Sequence, residues 1–298
     1  MDWSSTGELI VTGLMRGGIY ALMAVGLALV FGVMNIAQFA HGEFYLVGAY
    51  AAFFAVSTLG LHPLLAIVFA TLVSFGVGVV IERAAFLPLR QRSEDWVMNA
   101  FLLTVGLSFV LQNAALSIFG PNYRGVTQYW PGMIRITEGQ NISVDRVASF
   151  LIAIAAIGGL WLFLRRTRTG RAIRAVAQDE RGATLVGINL GKIHVLTFGL
   201  STALAGLAGA SLLPLTQAFP SVGFRPLVES WFVVMLVGLG NVPGAVVGGF
   251  IVGLLESFSY VYLGSGWQDV VPVSVLILIL LFKPSGLFGA EVKGVWER

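Results

Sequence analysis

Four polar side chains interrupt an apolar stretch near the beginning of the chain. The segment MNIAQFAHGEFYLVGAY, residues 34–50, carries Asn35, Gln38, His41 and Glu43. An ionisable side chain at the centre of a membrane helix costs about 2.5–3.5 kcal/mol on insertion scales, so such residues face a cavity or one another. Helical spacing predicts Asn35, Gln38 and His41 along one band, with Glu43 turned away from it. The set either lines a polar path or forms a hydrogen-bonded clamp between helices.

These residues do not indicate metal chemistry. His41 and Glu43 are too close in sequence to supply two ligands from one helical face, and His62 and His194 are expected near opposite membrane surfaces. The chain has no Cys, which excludes disulfides, thiolate metal sites and a Cys nucleophile. Glu43 is expected to approach Arg16 instead, because counting 1.5 Å per residue from opposite faces leaves the two within about 10 Å in depth.

Glu256 is a second acidic side chain inside a strongly apolar run. Ser257 and Ser259 lie beside it, so we interpret it as a structural carboxylate that is satisfied within the bundle. Small residues in the same region favour tight helix crossing, with packing inside this chain preferred over an interface with another chain. These are the pairs Gly244 with Gly248 and Gly249 with Gly253.

The segment GINLGKI, residues 187–193, has an incomplete likeness to a phosphate-binding loop. Its glycines are four residues apart instead of five, and Ile193 stands where the loop needs a Ser or Thr for Mg²⁺. The sequence therefore predicts that this chain binds no ATP by that motif and has no cofactor of its own. A membrane-embedded enzyme has little support, since the sequence offers no identifiable nucleophile motif.

The composition places these residues in a membrane protein. Of the 298 residues 57% are hydrophobic and 11% are charged, and the mean hydropathy is +0.86. Soluble domains carry about a quarter charged residues. No Lys or Arg precedes Arg16, so the beginning of the chain lacks the basic region of a cleaved signal peptide, and the first apolar segment is interpreted as a permanent helix.

Apolar runs of about 20 residues, the length that crosses a bilayer, predict the fold class. We expect an all-α polytopic transmembrane bundle, with residues 1–298 forming a single transmembrane domain of about eight or nine spans. Residues 228–263 form either two spans or one broken, re-entrant helix. The predicted spans are 8–31, 36–59, 63–81, 97–119, 147–164, 193–216, 228–242, 246–263 and 269–283.

The distribution of basic residues predicts the orientation of these spans. When residues 165–192 are placed in the cytoplasm, thirteen Lys and Arg residues fall in inner segments and four in outer segments, with Arg16 inside the first span. The positive-inside rule then places the N-terminus outside and the C-terminus inside. Residues 120–146 become the largest external loop.

The segment RRTRTGRAIRAVAQDERGATLVGINLGK, residues 165–192, is called the basic segment here. Good helix formers over 172–186 predict one short helix, with Gly187 as its left-handed C-cap and Ile188 in the accompanying contact. Helical spacing puts Ile173, Val176 and Ala177 on one face and Arg171, Arg174, Gln178 and Arg181 on another. The segment either rests on anionic lipid headgroups or docks on a cytoplasmic partner. The absence of Trp, Phe and Leu from its buried face favours the partner.

Four stretches resemble the permeases of ATP-binding-cassette (ABC) importers of the branched-chain amino acid class. The resemblance is collinear over nearly the whole chain. The stretches are VMNIAQFAHGEFYLVGAYAAF, GRAIRAVAQDERGATLVGINLGKIHVLTFGLSTALAGLAG, ESWFVVMLVGLGNVPGAVVGGFIVGLLES and LLFKPSGLFG.

The resemblance implies a multi-pass permease of the bacterial inner membrane that translocates Leu, Ile and Val and has no catalytic residues. Its implied partners are a second homologous permease, two cytoplasmic ATPases that bind ATP and Mg²⁺, a periplasmic substrate-binding protein and the lipid bilayer. Permeases for urea, other amides or amino acids and simple sugars share part of the pattern, so those substrates are the alternative. A secondary transporter coupled through Glu43, Glu82 or Glu256 is a rival class.

By analogy, residues 172–188 occupy the place of the coupling helix that docks on an ATPase. The expected contacts are Arg171, Arg174, Ala175, Val176, Asp179, Glu180, Ala183, Gly187 and Ile188. A zwitterionic substrate needs polar groups along its path, and the candidates are Asn35, Gln38, His41, Glu43, Thr104, Asn113 and Gln217.

Overall fold

The computed structural model describes residues 3–137 and 140–289, which form a helical bundle with one short hairpin, β1 (Met133–Thr137) and β2 (Gln140–Ser143). The prediction of an all-α polytopic bundle is confirmed apart from this hairpin. A π-helical turn, Glu82–Phe86, joins α3 to α4, and a 3₁₀ turn, Ser265–Trp267, precedes α12. The helices are α1 (Trp3–Met34), α2 (His41–Ser57), α3 (Pro63–Ile81), α4 (Leu87–Arg92), α5 (Trp96–Phe119), α6 (Val144–Arg166), α7 (Arg168–Gln178), α8 (Glu180–Leu185), α9 (Leu190–Thr216), α10 (Phe224–Val237), α11 (Val242–Leu263) and α12 (Val270–Phe282).

Seven segments of the described chain are long and apolar enough to cross a membrane. They are Leu9–Met34, Pro63–Arg92, Trp96–Phe119, Val144–Arg166, Leu190–Thr216, Val242–Leu263 and Ser265–Phe282. The predicted spans 36–59 and 228–242 correspond to shorter helices, α2 with 17 residues and α10 with 14. α10 and α11 are separate helices, and Gly238 and Gly240 in the turn between them have φ of +104° and +79°.

α1 and α9 form the centre of the bundle. Both are mostly buried, and they pack against each other, whereas α5 and α12 expose most of their length. The exposed side chains of these outer helices are chiefly large and apolar, such as Leu102, Phe109 and Ile277. Lipid tails are as apolar as Leu, so this exposure is expected where a helix faces a bilayer.

Glycines bring α1 and α11 into backbone contact. Gly249 packs against Ala21, and Gly253 packs against Gly17, so closely that a Cβ atom on either glycine would overlap the backbone of α1. This is the tight crossing within the chain that the sequence favours, and α1 and α11 form the most extensive helix pair of the described bundle.

The other glycine pair has two different roles. Gly248 packs against Val237 of α10. Gly244 lies in the first turn of α11, where its N–H donates to the side-chain oxygen of Asn241 at 2.8 Å. The predicted Gly244–Gly248 face is therefore divided between a helix contact and an N-cap.

The described residues of the segment predicted as an external loop, 120–137 and 140–146, cap one end of the bundle. Asp145 accepts the backbone N–H groups of Tyr129 and Trp130 at 3.1 and 2.9 Å. The hydroxyl of Tyr129 donates to the carbonyl oxygen of Ala210 in α9 at 3.0 Å. Burial, and then the negative charge of Asp145, raises the pKa of the Tyr129 phenol, so it remains a donor. Arg124 and Ala218 form a further backbone bridge to the end of α9.

Candidate functional site

The basic segment folds into two helices instead of the single helix predicted over 172–186. α7 begins after Thr167, whose hydroxyl accepts the N–H of Gly170 at 2.9 Å. α8 begins after Asp179, whose carboxylate accepts the N–H of Arg181 at 3.0 Å. Asp179 has an extended backbone, with φ −154°, which ends α7. Asp is among the preferred N-cap residues, so its side chain explains why a run of good helix formers divides here.

Gly187 ends α8 with the predicted left-handed cap. Its φ is +83°, and its N–H donates to the carbonyl oxygen of Thr184 at 2.9 Å. The N–H of Ile188 donates to the carbonyl oxygen of Ala183 at 3.0 Å. This pair of hydrogen bonds satisfies carbonyls that the end of a helix would otherwise leave free, and it fixes the turn back toward α9.

The apolar side chains of the basic segment point in two directions. Ile173, Val176 and Ala183 are buried against the bundle. Leu185 and Val186 are 89% and 76% exposed. The turn therefore holds two adjacent aliphatic side chains out from the bundle, where they are exposed to contact from outside this chain.

The expected coupling residues accordingly fall into separate groups. Val176 and Ala183 anchor the segment inside this chain instead of facing outward. Ala177, predicted on the same face as Ile173 and Val176, is exposed. Ala175 and Ile188 are half-buried. The exposed members are Arg171, Arg174, Asp179, Glu180 and Gly187.

A cavity of about 770 Å³ lies between the basic segment and the membrane helices. It is lined by α1, α6, α7, the start of α11 and the residues after α12, including Arg165, Arg174 and Asn241. The guanidinium of Arg165 lies 4.7 Å from the ring centroid of Trp161. The ends of α1 and α6 and the beginning of α11 therefore lie at the same end of the bundle as α7.

Residues 35–40 are not helical, so the predicted band of Asn35, Gln38 and His41 along one helix is wrong. Asn35 has φ +54°, a conformation that Asn tolerates better than most residues, and α2 begins only at His41. The hydroxyl of Thr104 lies 3.2 Å from the carbonyl oxygen of Ala37, and it accepts the N–H of Phe39 at 3.2 Å. Thr104 thus holds the irregular backbone, which is tolerated at membrane depth only where protein or a water-filled cavity surrounds it.

Gln38 and Asn35 lie in different surroundings within this break. Gln38 is fully buried, and neither its amide nitrogen nor its amide oxygen has a hydrogen-bond partner in the described part of the chain. Asn35 is exposed and lines a smaller cavity of about 530 Å³ beside the start of α5. Phe39 stacks on Trp231 of α10, with the ring centroids 5.1 Å apart.

His41 and Glu43 bond to neighbouring helices. The Nε2 atom of buried His41 lies 3.1 Å from the carbonyl oxygen of Met23. Glu43 accepts a hydrogen bond from the hydroxyl of Ser108 at 2.9 Å. The predicted approach of Glu43 to Arg16 is wrong, since the salt bridges found within residues 3–137 and 140–289 do not include that pair. Ser108 meets the carboxylate from α5, a contact between helices that spacing along one helix does not reveal.

The remaining path candidates lie at the periphery. Asn113 is on the exposed face of α5, and its amide donates to the carbonyl oxygen of Phe109 in its own helix at 2.8 Å. Gln217 is exposed just after α9 and has φ +57°. Both side chains are exposed, so neither lines a buried polar path within this chain. Glu82, an acid considered for ion coupling, is paired with Arg90 at 3.1 Å.

Glu256 is hydrogen-bonded by a tyrosine and not by the neighbouring serines. The hydroxyl of Tyr20 donates to Glu256 Oε2 at 2.6 Å. Ser259 donates to the carbonyl oxygen of Leu255, and Ser257 has no side-chain partner among the residues described. The predicted contacts of Glu256 with Ser257 and Ser259 are therefore wrong. A serine inside a helix, such as Ser259, readily donates to the carbonyl oxygen four residues earlier.

Three further charged residues complete a network around this pair. Arg225 donates from Nη2 to Asp269 Oδ1 at 2.9 Å, and from Nε to Glu229 Oε1 at 3.4 Å. Carboxylate oxygens of Glu229, Glu256 and Asp269 all lie within 4.8 Å of one another. These five residues, Tyr20, Arg225, Glu229, Glu256 and Asp269, are called the Arg225 network.

Sequence reasoning missed Glu229 and Asp269 because they fall at the start of predicted spans 228–242 and 269–283, where a charge is ordinary. The usable signal is that Glu229 interrupts the apolar run PLVESWFVVMLV, as Glu43 interrupts its own stretch. The exposed pair Leu185 and Val186 was also missed, although two aliphatic residues directly before a C-cap glycine are visible in the sequence.

Comparison with known proteins agrees with this architecture. The family model described as "Branched-chain amino acid transport system / permease component" matches residues 9–280. The chain is 34% identical to the high-affinity branched-chain amino acid transport system permease protein BraD of Pseudomonas aeruginosa, over 95% of both chains. It is 31% identical to the corresponding protein LivH of Escherichia coli, also over 95% of both. Identity to the ribose import permease protein RbsC of Escherichia coli is 26%, over 90% of this chain and 83% of RbsC.

The family model covers most of the chain, and two relatives exceed 30% identity over nearly their full length. The resemblance carried by the four sequence stretches is therefore confirmed. This multi-pass membrane protein belongs to the family of branched-chain amino acid transport permeases.

Proposed function

We propose that this chain is the membrane-spanning permease subunit of an ABC importer that carries Leu, Ile and Val across the bacterial inner membrane. The likeness to BraD and LivH over 95% of the chain carries the proposal. ATP is hydrolysed by partner subunits, and the contribution of this chain is a path that opens alternately to the two sides. The partners are a second homologous permease, two cytoplasmic ATPases and a periplasmic substrate-binding protein.

The basic segment is the contact with an ATPase. Leu185 and Val186 supply the apolar centre of that contact, and Arg171 and Arg174 supply flanking charge. Movement of the docked ATPase is transmitted because α7 packs on α1, α6 and α9, so a displaced segment displaces three membrane helices. Rigid-body motion of this kind is a common basis for switching between two states.

In this proposal the N-terminus lies outside and the C-terminus inside. The positive-inside rule supports this orientation, since the basic segment is the most strongly basic part of the chain. The cavity beside α7 is lined by the ends of α1 and α6, the start of α11 and the residues after α12. All of these elements therefore lie on the same side of the membrane as α7.

The test uses the complete importer purified with its own binding protein. ATPase activity is measured with the binding protein free, loaded with leucine, and replaced by ribose-loaded or urea-loaded counterparts. We expect stimulation by the leucine-loaded protein, since BraD and LivH are branched-chain amino acid permeases. Stimulation only by the ribose-loaded or urea-loaded protein would reject the amino acid assignment in favour of the alternative substrates.

A further inference from the structure

The cavity beside α7 is a cleft between two helices that diverge over α1. The rings of Phe150 in α6 and Phe250 in α11 meet with their centroids 6.5 Å apart. From this contact α6 runs on to Arg166, α11 runs back to its start at Val242, and the cleft lies between these two ends. α1 packs on both helices and closes the cleft from below. Its volume of about 770 Å³ is within the range of about 300–1,000 Å³ typical of ligand sites.

The walls of the cleft are apolar and border the surface that faces lipid. Ile157 and Arg165 both line it, so at 1.5 Å per residue it extends about 12 Å along α6. On the outer side of the same helix, Leu151 and Leu162 are 59% and 51% exposed. An aliphatic chain can therefore enter the cleft from the bilayer. The apolar wall residues contributed by α1 and α6 are Val25, Leu29, Val33, Ile157, Leu160 and Leu164.

The end of the cleft nearest the basic segment carries positive charge. Arg165 of α6 and Arg174 of α7 both line it, and both are exposed. No Asp or Glu of the described residues lines the cleft, and no salt bridge found among those residues includes either arginine. Trp161, whose ring lies 4.7 Å from the guanidinium of Arg165, also lines it. Trp is enriched where a membrane meets water, and a guanidinium suits a phosphate.

An apolar cleft with a basic end matches an amphiphile that has an aliphatic tail and an anionic head. Basic pockets between membrane helices on the cytoplasmic side bind anionic lipid headgroups. A branched-chain amino acid fits less well, because its ammonium group would meet two guanidiniums and no carboxylate. Free phosphate would leave the apolar walls uncovered.

We propose that the cavity beside α7 binds an anionic phospholipid of the inner leaflet. Its phosphate lies between Arg165 and Arg174, and one acyl chain lies along the walls formed by α1 and α6. Because the two arginines belong to different helices, the headgroup joins α6 to the basic segment. The inference rests on the proposed function only for the side of the membrane.

The first experiment uses the full-length chain purified in detergent and phosphatidylglycerol with a photoactivatable group in its acyl chain. Mass spectrometry of peptides locates the label. We expect it on residues 25–33 and 157–164, at least tenfold more than with phosphatidylcholine of the same chains. Equal labelling by the two lipids would overturn the proposal, as would label confined to other segments.

The charge requirement is tested with two pairs of substitutions. Arg165→Gln with Arg174→Gln should reduce labelling by phosphatidylglycerol at least tenfold. Arg166→Gln with Arg168→Gln is the matched control, since these exposed neighbours carry the same charge but do not line the cleft. The control should stay within twofold of the unsubstituted chain. Equal losses in both pairs would show general attraction of lipid to the basic segment, and no loss in either would show that charge is not used; both results contradict the proposal.

A second variant keeps the charge and fills the cleft. Ile157→Trp places a larger side chain at a half-buried position that lines it. We expect labelling of residues 25–33 to fall at least fivefold. Ile154→Trp is the control on the same helix, because Ile154 is exposed and does not line the cleft. If both variants are labelled equally, the acyl chain does not lie in the cleft.

Competition identifies any other occupant. Unlabelled phosphatidylglycerol should displace the label, whereas inorganic phosphate and leucine at the same concentration should not. Displacement by phosphate would indicate an anion site without lipid, and displacement by leucine would indicate a substrate site; either overturns the proposal. Residues 290–298 follow directly on Gly289, which lines the cleft, so a chain ending at Gly289 is also labelled. Labelling within twofold supports the lipid, and a several-fold rise would identify those residues as the occupant.

Failure of this proposal is distinguishable from failure of the proposed function. Lipid labelling requires neither ATP nor binding protein. If only the lipid site is wrong, leucine-loaded binding protein still stimulates the complete importer. If only the function is wrong, that stimulation is absent while the cleft is still labelled.

Discussion

The basic segment and the Arg225 network both depend on charged side chains, but they are built in opposite ways. The basic segment is stabilised locally, with caps at Thr167, Asp179 and Gly187 that bond within a few residues of themselves. The Arg225 network is assembled across the chain, and its Tyr20–Glu256 hydrogen bond joins residues 236 positions apart. Local capping gives a segment that keeps its shape while it moves. A network whose members come from separate helices is rearranged when those helices move relative to one another.

α1 connects the two regions. It packs on α7 of the basic segment, and it carries Tyr20 of the network. Its crossing with α11 is close because Gly17 and Gly253 meet there. A displacement of α7 by a docked ATPase would therefore reach both partners of the Tyr20–Glu256 hydrogen bond, and α1 with α11 is expected to move as one unit.

The largest expected effect comes from placing charge on the exposed tip of the basic segment. The double substitution Leu185→Glu with Val186→Glu removes the apolar centre of the proposed ATPase contact. Interface hot spots are worth at least about 2 kcal/mol, so binding of the ATPases should weaken about 30-fold or more. Retention of the ATPases on the purified permease, measured by quantitative pull-down, checks this.

The matched control for the tip is the exposed apolar pair at the opposite end of the bundle. Met133→Glu with Ile134→Glu changes two exposed residues of β1 in the same way. This control should leave ATPase binding unchanged. Equal retention by both double variants would contradict the assignment of Leu185 and Val186.

A smaller effect is expected from Tyr20→Phe, which tests the long-range construction of the network. It removes the hydroxyl that donates to Glu256, so the buried carboxylate loses a hydrogen bond. Loss of a hydrogen bond to such a group costs about 1.5–3 kcal/mol. Thermal unfolding of the detergent-solubilised permease should shift to lower temperature, whereas Tyr260→Phe, at a half-exposed position, should leave it unchanged. Equal melting of the two variants would show that the hydrogen bond adds no stability.

The smallest effect is expected from Asp179→Ala, which tests local capping in the basic segment. Loss of an N-cap costs typically about 1 kcal/mol, so α8 should fray while the membrane helices are unaffected. Limited proteolysis of residues 165–192 should quicken several-fold. Asp95→Ala is the control, because Asp95 precedes α5 without making a side-chain cap. If the two variants are cleaved at the same rate, the cap does not hold the segment.

The difference between local contacts and contacts of distant residues explains what could be predicted from the sequence. The long apolar helices and the Gly187 cap follow from patterns of neighbouring residues, and both are found. The division of the basic segment at Asp179 was missed, although its capping chemistry is equally local. The break at residues 35–40 depends on Thr104, which is more than 60 positions away.

The Arg225 network could not be predicted for the same physical reason. Its members come from α1, α10, α11 and the residue before α12, and no spacing rule brings four separate elements together. The sequence did identify Glu256 as a buried carboxylate, but it assigned the wrong partners, because neighbours in sequence were the only ones available to consider.

The most direct test of this account is leucine uptake into proteoliposomes that contain either this chain alone or the complete importer with ATP inside. We expect uptake only by the complete importer, and only when its ATPases hydrolyse ATP and leucine-loaded binding protein is outside. Full-rate uptake by this chain alone would contradict it, and would identify a transporter that needs no ATPase.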